Sequence, residues 1–329
     1  MMRPNRTKWL IFVFLFVVII VAGLWVMLDQ YSHAPAPIIP IAAVRENPTH
    51  TVIGKSVQGR DIDAYTYTSV QISTSSPARA SATSVESSLS NINGDSGQNS
   101  DSPKHLLFVG GIHGGYEWNS VILAYTFMDY LKVNPDFVPT NFTITVIPSV
   151  NPDAVFMVVG KEGRFTSEDV STSTKVLARA RFNADSVDLN RNFDCKWQPK
   201  STWQSKTVSA GTSAFSEPEA KALRDYVATF QPEAVVFWHS QSNAVYASQC
   251  KGGILPVTLD IMNAYAKASK YPAVKTFDAY VTTGAADDWL ASIGIPAITV
   301  ELSSHNTIEW ARNLEGIRAL LKYFGETTM

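Results

Sequence analysis

A chain of 329 residues that is 45% hydrophobic can bury one large core or two modest ones. Its net charge of -2 excludes the electrostatic footprint of a nucleic-acid binder.

Trp9 to Leu28 carries no charge and has about the 20 residues that a helix needs to cross a bilayer core. The run reads as an uncleaved transmembrane anchor. The alternative is a secretory signal peptide, whose apolar part is shorter, about 7–15 residues. Its small-residue exit here, Ser32-His33-Ala34, runs straight into Pro35. Arg3, Arg6 and Lys8 precede the run, and on the other flank no Lys or Arg occurs before Arg45. The positive-inside rule therefore makes residues 1–8 a cytoplasmic tail and puts the rest of the chain outside the cytoplasm, attached to the cell membrane by residues 9–28. Residues 29–49, with Pro35, Pro37 and Pro40, read as a semi-rigid spacer ahead of a domain over 50–329. In an oxidising compartment the only two cysteines, Cys195 and Cys250, are expected to pair; two unrelated buried thiols are the alternative.

Thr51 to Lys55 leads through a turn at Gly59-Arg60 to an alternating strand at Ile62 to Tyr67. Residues 69–103, rich in Ser, Asn, Gly and Thr, read as a flexible surface insertion between two strands. Leu106 to Val109 is a buried strand ending in Gly110-Gly111, which puts His113 on a tight loop. Val121, Leu123, Ala124, Phe127, Met128 and Leu131 then recur at helical spacing, so Glu117 falls just before or in the first helical turn. Phe142 to Val150 is a second strand, followed by a turn at Asn151-Pro152-Asp153.

The heptapeptide 187–193 sets Asp188, Asn190 and Arg191 in a strand-like context. The planar fork of Arg191 and the amide of Asn190 match a carboxylate, and Asp188 is an acceptor that can hold another group in place. A polar loop with one salt bridge is the alternative. Ser216-Glu217-Pro218-Glu219 has the form of a capping box and opens a helix to about Phe230. Ala234 to Trp238 is a strand delivering His239, residues 255–269 and Asp287 to Ser292 are helical, Ala297 to Val300 is a strand delivering Glu301, and Thr307 to Phe324 is an amphipathic closing helix. Strands alternating with helices imply an α/β sandwich, with the polar residues where such sheets bind ligands, at the carboxyl ends of strands.

Hydrolytic zinc sites take three protein ligands, and two His plus one Glu is a common set. Of the six histidines, His113, His239 and His305 lie near predicted strand ends, and Glu117 is the only acid between Lys104 and Asp129. His113, Glu117 and His239 are the candidate ligands. Taken singly, each histidine reads more readily as a structural or surface residue; it is two of them delivered by apolar strands, together with Glu117, that point to a metal.

These residues carry a resemblance to the zinc metallocarboxypeptidases of the carboxypeptidase A/B type, over about residues 50–329. It rests on His113 with Glu117-Trp118; on Asn151-Pro152-Asp153 with the heptapeptide; on Ser216 to Glu219 with His239-Ser240; and on Tyr280 through Gly284 and Asp288-Trp289 to Glu301-Leu302, all in family order. The resemblance implies a single-domain α/β/α sandwich on a mixed, mostly parallel twisted sheet, one Zn2+ per chain, a peptide substrate and a monomeric catalytic domain. It also implies roles: Asp188 orients His113, Asn190 and Arg191 receive the substrate's terminal carboxylate, Arg181 stabilises the oxyanion, Tyr280 closes over the substrate, and Glu301 is the general base. Asp287 falls where B-type enzymes carry the Asp that selects Lys or Arg; capping of an exposed helix start is its alternative role.

Two departures stand out. Three residues, Gly114-Gly115-Tyr116, separate His113 from Glu117 where the family has two, which requires a bulge that glycines permit. Tyr116 replaces an arginine. The leading expectation is a membrane-anchored carboxypeptidase. A cell-wall peptide amidase or endopeptidase on the same fold and a non-catalytic carboxylate-binding module are the other two readings; a degenerate binder would be expected to have lost Glu301 or a ligand.

Overall fold

The structure, a computed structural model, describes residues 48–69 and 103–326. The expected anchor at 9–28, nearly all of the spacer and nearly all of the 69–103 insertion lie outside the described residues. Among the described residues no helix is long and apolar enough to cross a membrane.

Eight strands form one sheet: β1 (Thr49–Lys55), β2 (Asp61–Thr68), β3 (Lys104–Val109), β4 (Phe142–Ile147), β7 (Ala234–Ser240), β8 (Ala244–Ala247), β9 (Ala273–Val274) and β10 (Ala297–Leu302). Their spatial order is β1-β2-β4-β3-β7-β10-β8-β9. The central run β4-β3-β7-β10 is parallel, as is β8 with β9, whereas β1 with β2, β2 with β4 and β8 with β10 are antiparallel. This is the mixed, mostly parallel sheet the sequence implies. A separate hairpin pairs β5 (Lys200–Trp203) with β6 (Lys206–Ser209).

The helices are α1 (Trp118–Val133), α2 (Pro152–Val159), α3 (Thr174–Arg179), α4 (Pro218–Phe230), α5 (Pro256–Ser269), α6 (Ala286–Ser292) and α7 (Trp310–Glu326). Alternation along the central strands sorts two cores. Leu106, Phe108, Val236, Trp238, Ile298 and Val300 face α1, α5 and α7 through Phe127, Ile261 and Ile317. Leu107, Val109, Val235, Phe237 and Ala297 face α4 and α6 through Leu223 and Leu290. Because successive residues of a strand point to opposite faces, His239, two residues after Phe237, and Glu301, four after Ala297, lie on the α4/α6 face.

Three expectations are corrected. The heptapeptide is a 3-10 turn at Leu189–Arg191, not a strand; only Val187 is strand-like, through a bridge to Ser209. Asn151-Pro152-Asp153 opens α2, with the Asn151 side chain accepting from the Ala154 N–H, because Pro at the first helical position needs no donor. Ser216 does not cap α4. Glu217 is its N-cap residue without a side-chain cap bond, since Ser216 Oγ donates to Glu217 Oε1 at 2.7 Å and also meets Asn192.

Cys195 and Cys250 are disulfide-bonded across 55 residues of sequence, with Cα atoms 6.0 Å apart. Replacing both with Ser is expected to lower stability by about 2–4 kcal/mol by releasing that loop in the unfolded chain. Urea unfolding of the variant, compared with the oxidised parent, checks it.

Candidate active site

Three adjacent parallel strands bring the site together. β3 is followed by Gly110, whose Cβ would lie 2.7 Å from the Pro148 carbonyl oxygen, so only glycine lets the chain turn there and carry on to His113. The extra residue between His113 and Glu117 is taken up by a 3-10 turn at Gly114–Glu117, with Gly114 at φ +47° and packed so closely on Ala154 that a Cβ would clash. Glu117 then becomes the N-cap residue of α1. β7 supplies His239, and β10 pairs Glu301 directly with His239.

His113, Glu117 and His239 are all buried, and their ligand atoms lie within 4.8 Å of one another. His113 Nδ1 is 2.8 Å from Glu117 Oε1, His239 Nδ1 is 2.9 Å from Glu117 Oε2, and the two Nδ1 atoms are 3.1 Å apart. Burial disfavours the charged Glu117, yet His113 and His239 outweigh it and hold its carboxyl well below the usual range. The converse holds for His239, where Glu117 more than offsets desolvation and raises the imidazole.

Asp188, fully buried, holds this group from behind. Its Oδ2 accepts from Arg181 Nε at 3.0 Å and pairs with Nη2 at 2.9 Å, its Oδ1 accepts from the Asn190 N–H, and Oδ1 lies 3.4 Å from His113 Nε2. Burial opposes its charge, but Arg181 and Arg191 prevail and hold the carboxyl far below the usual range. Arg181 Nη1 reaches to 3.6 Å from Glu117 Oε1, and its guanidinium lies 4.6 Å over the Trp203 ring.

Arg191 spends three of its five N–H donors on backbone carbonyls: Nε and Nη2 donate to Thr202 O, and Nη1 donates to Asn190 O. One N–H remains on each terminal nitrogen, the pair that grips a carboxylate. Asn190 Oδ1 accepts from the Ala286 N–H, which fixes its amide. Behind this turn Gly284, at φ +71°, packs so closely that a Cβ would lie 2.2 Å from the Arg191 carbonyl oxygen.

Glu301 is half-buried, and its Oε2 accepts from the Ser242 N–H at 3.1 Å. Burial first, and then the charge of Glu117, push its carboxyl up to about 7. All the expected site residues but Asp188 line one cleft of about 280 Å³: His113, Glu117, Arg181, Asn190, Arg191, His239, Tyr280, Asp287 and Glu301. Tyr280 stands on the rim against Phe277, ring centroids 4.8 Å apart. Asp287 accepts from Thr299 Oγ1 at 3.0 Å, so it faces the strand rather than capping an exposed helix. The cleft is also lined by Asp288, Trp203 and His305, which the sequence reading did not place there. Trp203 comes from a hairpin with no catalytic signature. His305 follows Glu301 by four residues, near a predicted strand end, and that placement was its signal.

The pattern of the zinc carboxypeptidase family matches residues 41–316. The chain belongs to the zinc carboxypeptidase family. Carboxypeptidase B of Helicoverpa zea is 35% identical over 130 residues, 38% of this chain and 29% of that protein. Murein peptide amidase A of Escherichia coli K12 is 28% identical over 131 residues, 37% of this chain and 50% of that protein. These matches thus span half or less of the relatives' own length. The crystal structure of the murein-tripeptide amidase of Escherichia coli O157 superposes with a TM-score of 0.53 over 86% of this chain and 96% of that one, at 20% identity, a likeness of fold.

Membership in the family implies zinc, and the donor set fits it. Two imidazole nitrogens and one carboxylate are the borderline ligands zinc takes, and separations of 2.8, 2.9 and 3.1 Å approach the edge of about 3.3 Å that bonds of about 2.0–2.1 Å subtend in a tetrahedron.

Gly284→Ala is expected to cost about 1–3 kcal/mol through its left-handed backbone and its collision with Arg191. Thermal unfolding of the purified variant checks it, and an unchanged melting temperature would refute the close approach.

Proposed function

We propose that this chain is a zinc carboxypeptidase that hydrolyses the last peptide bond of its substrate, prefers cationic or diamino-acid ends, and works outside the cytoplasm from a membrane anchor at residues 9–28. The observation that carries the reading is the order of groups along one cleft. Thr299 with Asp287 lies one strand repeat before Glu301 and His239, about 7 Å away along the strand, and the free N–H groups of Asn190 and Arg191 open into the same space. A chain end with its carboxylate on Arg191 and its last side chain toward Asp287 has its scissile carbonyl beside Glu301.

Bound zinc supplies a Lewis acid that polarises the scissile carbonyl and the attacking water; His113, Glu117 and His239 would hold it. Glu301 accepts the proton of the attacking water and returns it to the leaving amine. Arg181, held by Asp188 and backed by Trp203, meets the negative charge that develops on the carbonyl oxygen. Arg191 and Asn190 set the register by refusing a chain that continues past the carboxylate. The complete set argues against a degenerate binding module. A cell-wall amidase or endopeptidase is the second reading, favoured by the murein peptide amidase relative, because a diamino acid also carries an ammonium group that suits Asp287.

Three outcomes follow. The parent takes up one zinc per chain, and His239→Ala loses both zinc and activity, as read by metal analysis after dialysis; retained stoichiometric zinc would refute the assignment. Glu301→Gln keeps zinc and lowers kcat/KM by about 10²- to 10⁴-fold. Because Glu301 is raised to about 7 in the metal-free protein and works as a base, activity falls as the pH is lowered through its pKa, and a bound cation shifts that limb below 7; the residual activity of Glu301→Gln lacks the limb. Asp287→Ala lowers the preference for peptides ending in Arg over Phe by about thirtyfold or more, the effect of a lost partner to a desolvated cation. An unchanged ratio on paired peptides removes Asp287 as the determinant, and a panel including cell-wall peptides decides between the two readings.

A further inference from the structure

The hairpin β5–β6 stands outside the main sheet, and a two-stranded hairpin is marginal in water by itself. It holds its shape through what it touches. At its base Ser209 O accepts from the Asp188 N–H at 3.0 Å, and Ser209 bridges Val187. Along β5 three consecutive residues then reach three parts of the site. Ser201 Oγ accepts from Thr283 Oγ1 at 3.0 Å, on the segment between Tyr280 and Gly284. Thr202 O accepts from Arg191 Nε and Nη2 at 3.2 and 3.1 Å. The Trp203 ring lies under the Arg181 guanidinium, whose carbon is 4.6 Å from the ring centroid.

The ring itself is braced. Trp203 is buried, and Tyr116 and Phe182 meet it edge to face with centroids 5.3 and 5.9 Å away. Lys206, its partner across the hairpin, brings a second cation to 5.5 Å, but Lys206 is exposed whereas Arg181 is 3% exposed. An indole face attracts a cation most strongly where that cation is desolvated, so the ring acts on Arg181. Asp188 and Trp203 restrain different freedoms of this one group. The carboxylate pairs with Nε and Nη2 and so fixes one edge of the guanidinium, about which the plane could still tilt. A ring under the plane removes the tilt. Nη1, 3.6 Å from Glu117 Oε1, is the nitrogen whose direction that tilt would change.

We propose that Trp203 is a positioning residue for the cation that meets the oxyanion: its ring fixes the plane of the Arg181 guanidinium and so aims Nη1 at the carbonyl oxygen as charge develops there. The proposal rests on the hydrolytic role given to Arg181 above. Because residues 202 and 203 are consecutive, one strand sets both the grip on the chain end and the grip on the oxyanion. The two grips are nevertheless separable. A substitution at 203 removes the ring and leaves the Thr202 carbonyl on Arg191, so the loss acts where charge develops and spares the terminal carboxylate; kcat falls and KM stays.

The experiment compares the zinc-loaded parent with Trp203→Leu and Trp203→Phe on the best-cleaved peptide of the panel above. Calorimetry adds two ligands that need no turnover: a phosphonate analogue of that peptide, which carries a tetrahedral anion at the scissile position, and the released amino acid, which offers only the terminal carboxylate and side chain. Trp203→Leu is expected to lower kcat about five- to thirtyfold, the worth of a desolvated contact between a cation and an indole face, with KM unchanged. The phosphonate weakens by the same factor, and the amino acid binds as it does to the parent. Trp203→Phe, whose ring attracts a cation less than indole does, falls between the two. Parental kcat in both variants, with any change confined to the melting temperature, overturns the role and leaves the ring as packing alone; a loss shared equally by the phosphonate and the amino acid also overturns it. If Trp203→Leu does not fold, Trp203→Phe carries the comparison, and parental kcat and phosphonate affinity in that variant overturn the role. A parent that cleaves no peptide of the panel overturns the hydrolase reading and this role with it, whereas an active parent with unaffected variants overturns this role alone.

Discussion

The residue-for-residue pairing of β10 with β7 is the constraint on which the site depends. Parallel neighbours put Glu301 opposite His239 on one face of the sheet, and Ala244 of β8 closes the other side of Glu301. A slip of one residue would turn Glu301 into the opposite core, where Val300 and Leu302 pack. The pairing also forces two carboxylates, Glu117 and Glu301, toward one imidazole pair, and burial first, then their repulsion, raises Glu301 while His113 and His239 claim Glu117. A carboxylate that already shares its charge with two histidines is suited to a cation, and one pushed toward neutral pH is suited to moving a proton.

Behind the ligands runs a buried chain of charge from Arg191 through Asp188 and Arg181 to Glu117. Removing Asp188 would take from the buried Arg181 its closest partner, a loss of about 3–5 kcal/mol for a buried pair broken on one side. The chain therefore locks the orientation of Arg181 without relying on the rim, where the rings of Tyr280 and Phe277 meet edge to face. Trp203 adds a flat surface under the guanidinium, so the cation is held by charge on one side and by an aromatic ring on the other.

The disulfide belongs to the site as much as to the fold. Cys195 lies between the Arg191 turn and Lys196, its carbonyl accepts from the Gly284 N–H, and Cys250 adjoins Gln249, whose N–H holds Asp288. One covalent bond thus fastens the segment that carries Arg191 to the segment whose backbone holds Asp288. A cross-link of that kind persists in an oxidising compartment, which the proposed placement outside the cytoplasm would supply.

Much of this was legible before any coordinates. Buried strands show as short apolar runs, so Leu106 to Val109, Ala234 to Trp238 and Ala297 to Val300 announced themselves, and the polar residues that follow each run had to emerge at the same end of a parallel sheet. The candidate ligand set and the cysteine pair followed from side-chain chemistry. Tertiary structure alone decided what depends on contacts distant in sequence. The heptapeptide became a turn against which Gly284 packs, Ser216 gave up its capping role to Asn192 and Glu217, and Trp203 joined the cleft from a hairpin whose local sequence says nothing about the site. Local pattern records what a segment must bury, because that is a property of its own side chains; which surface it buries against is settled only when the whole sheet assembles.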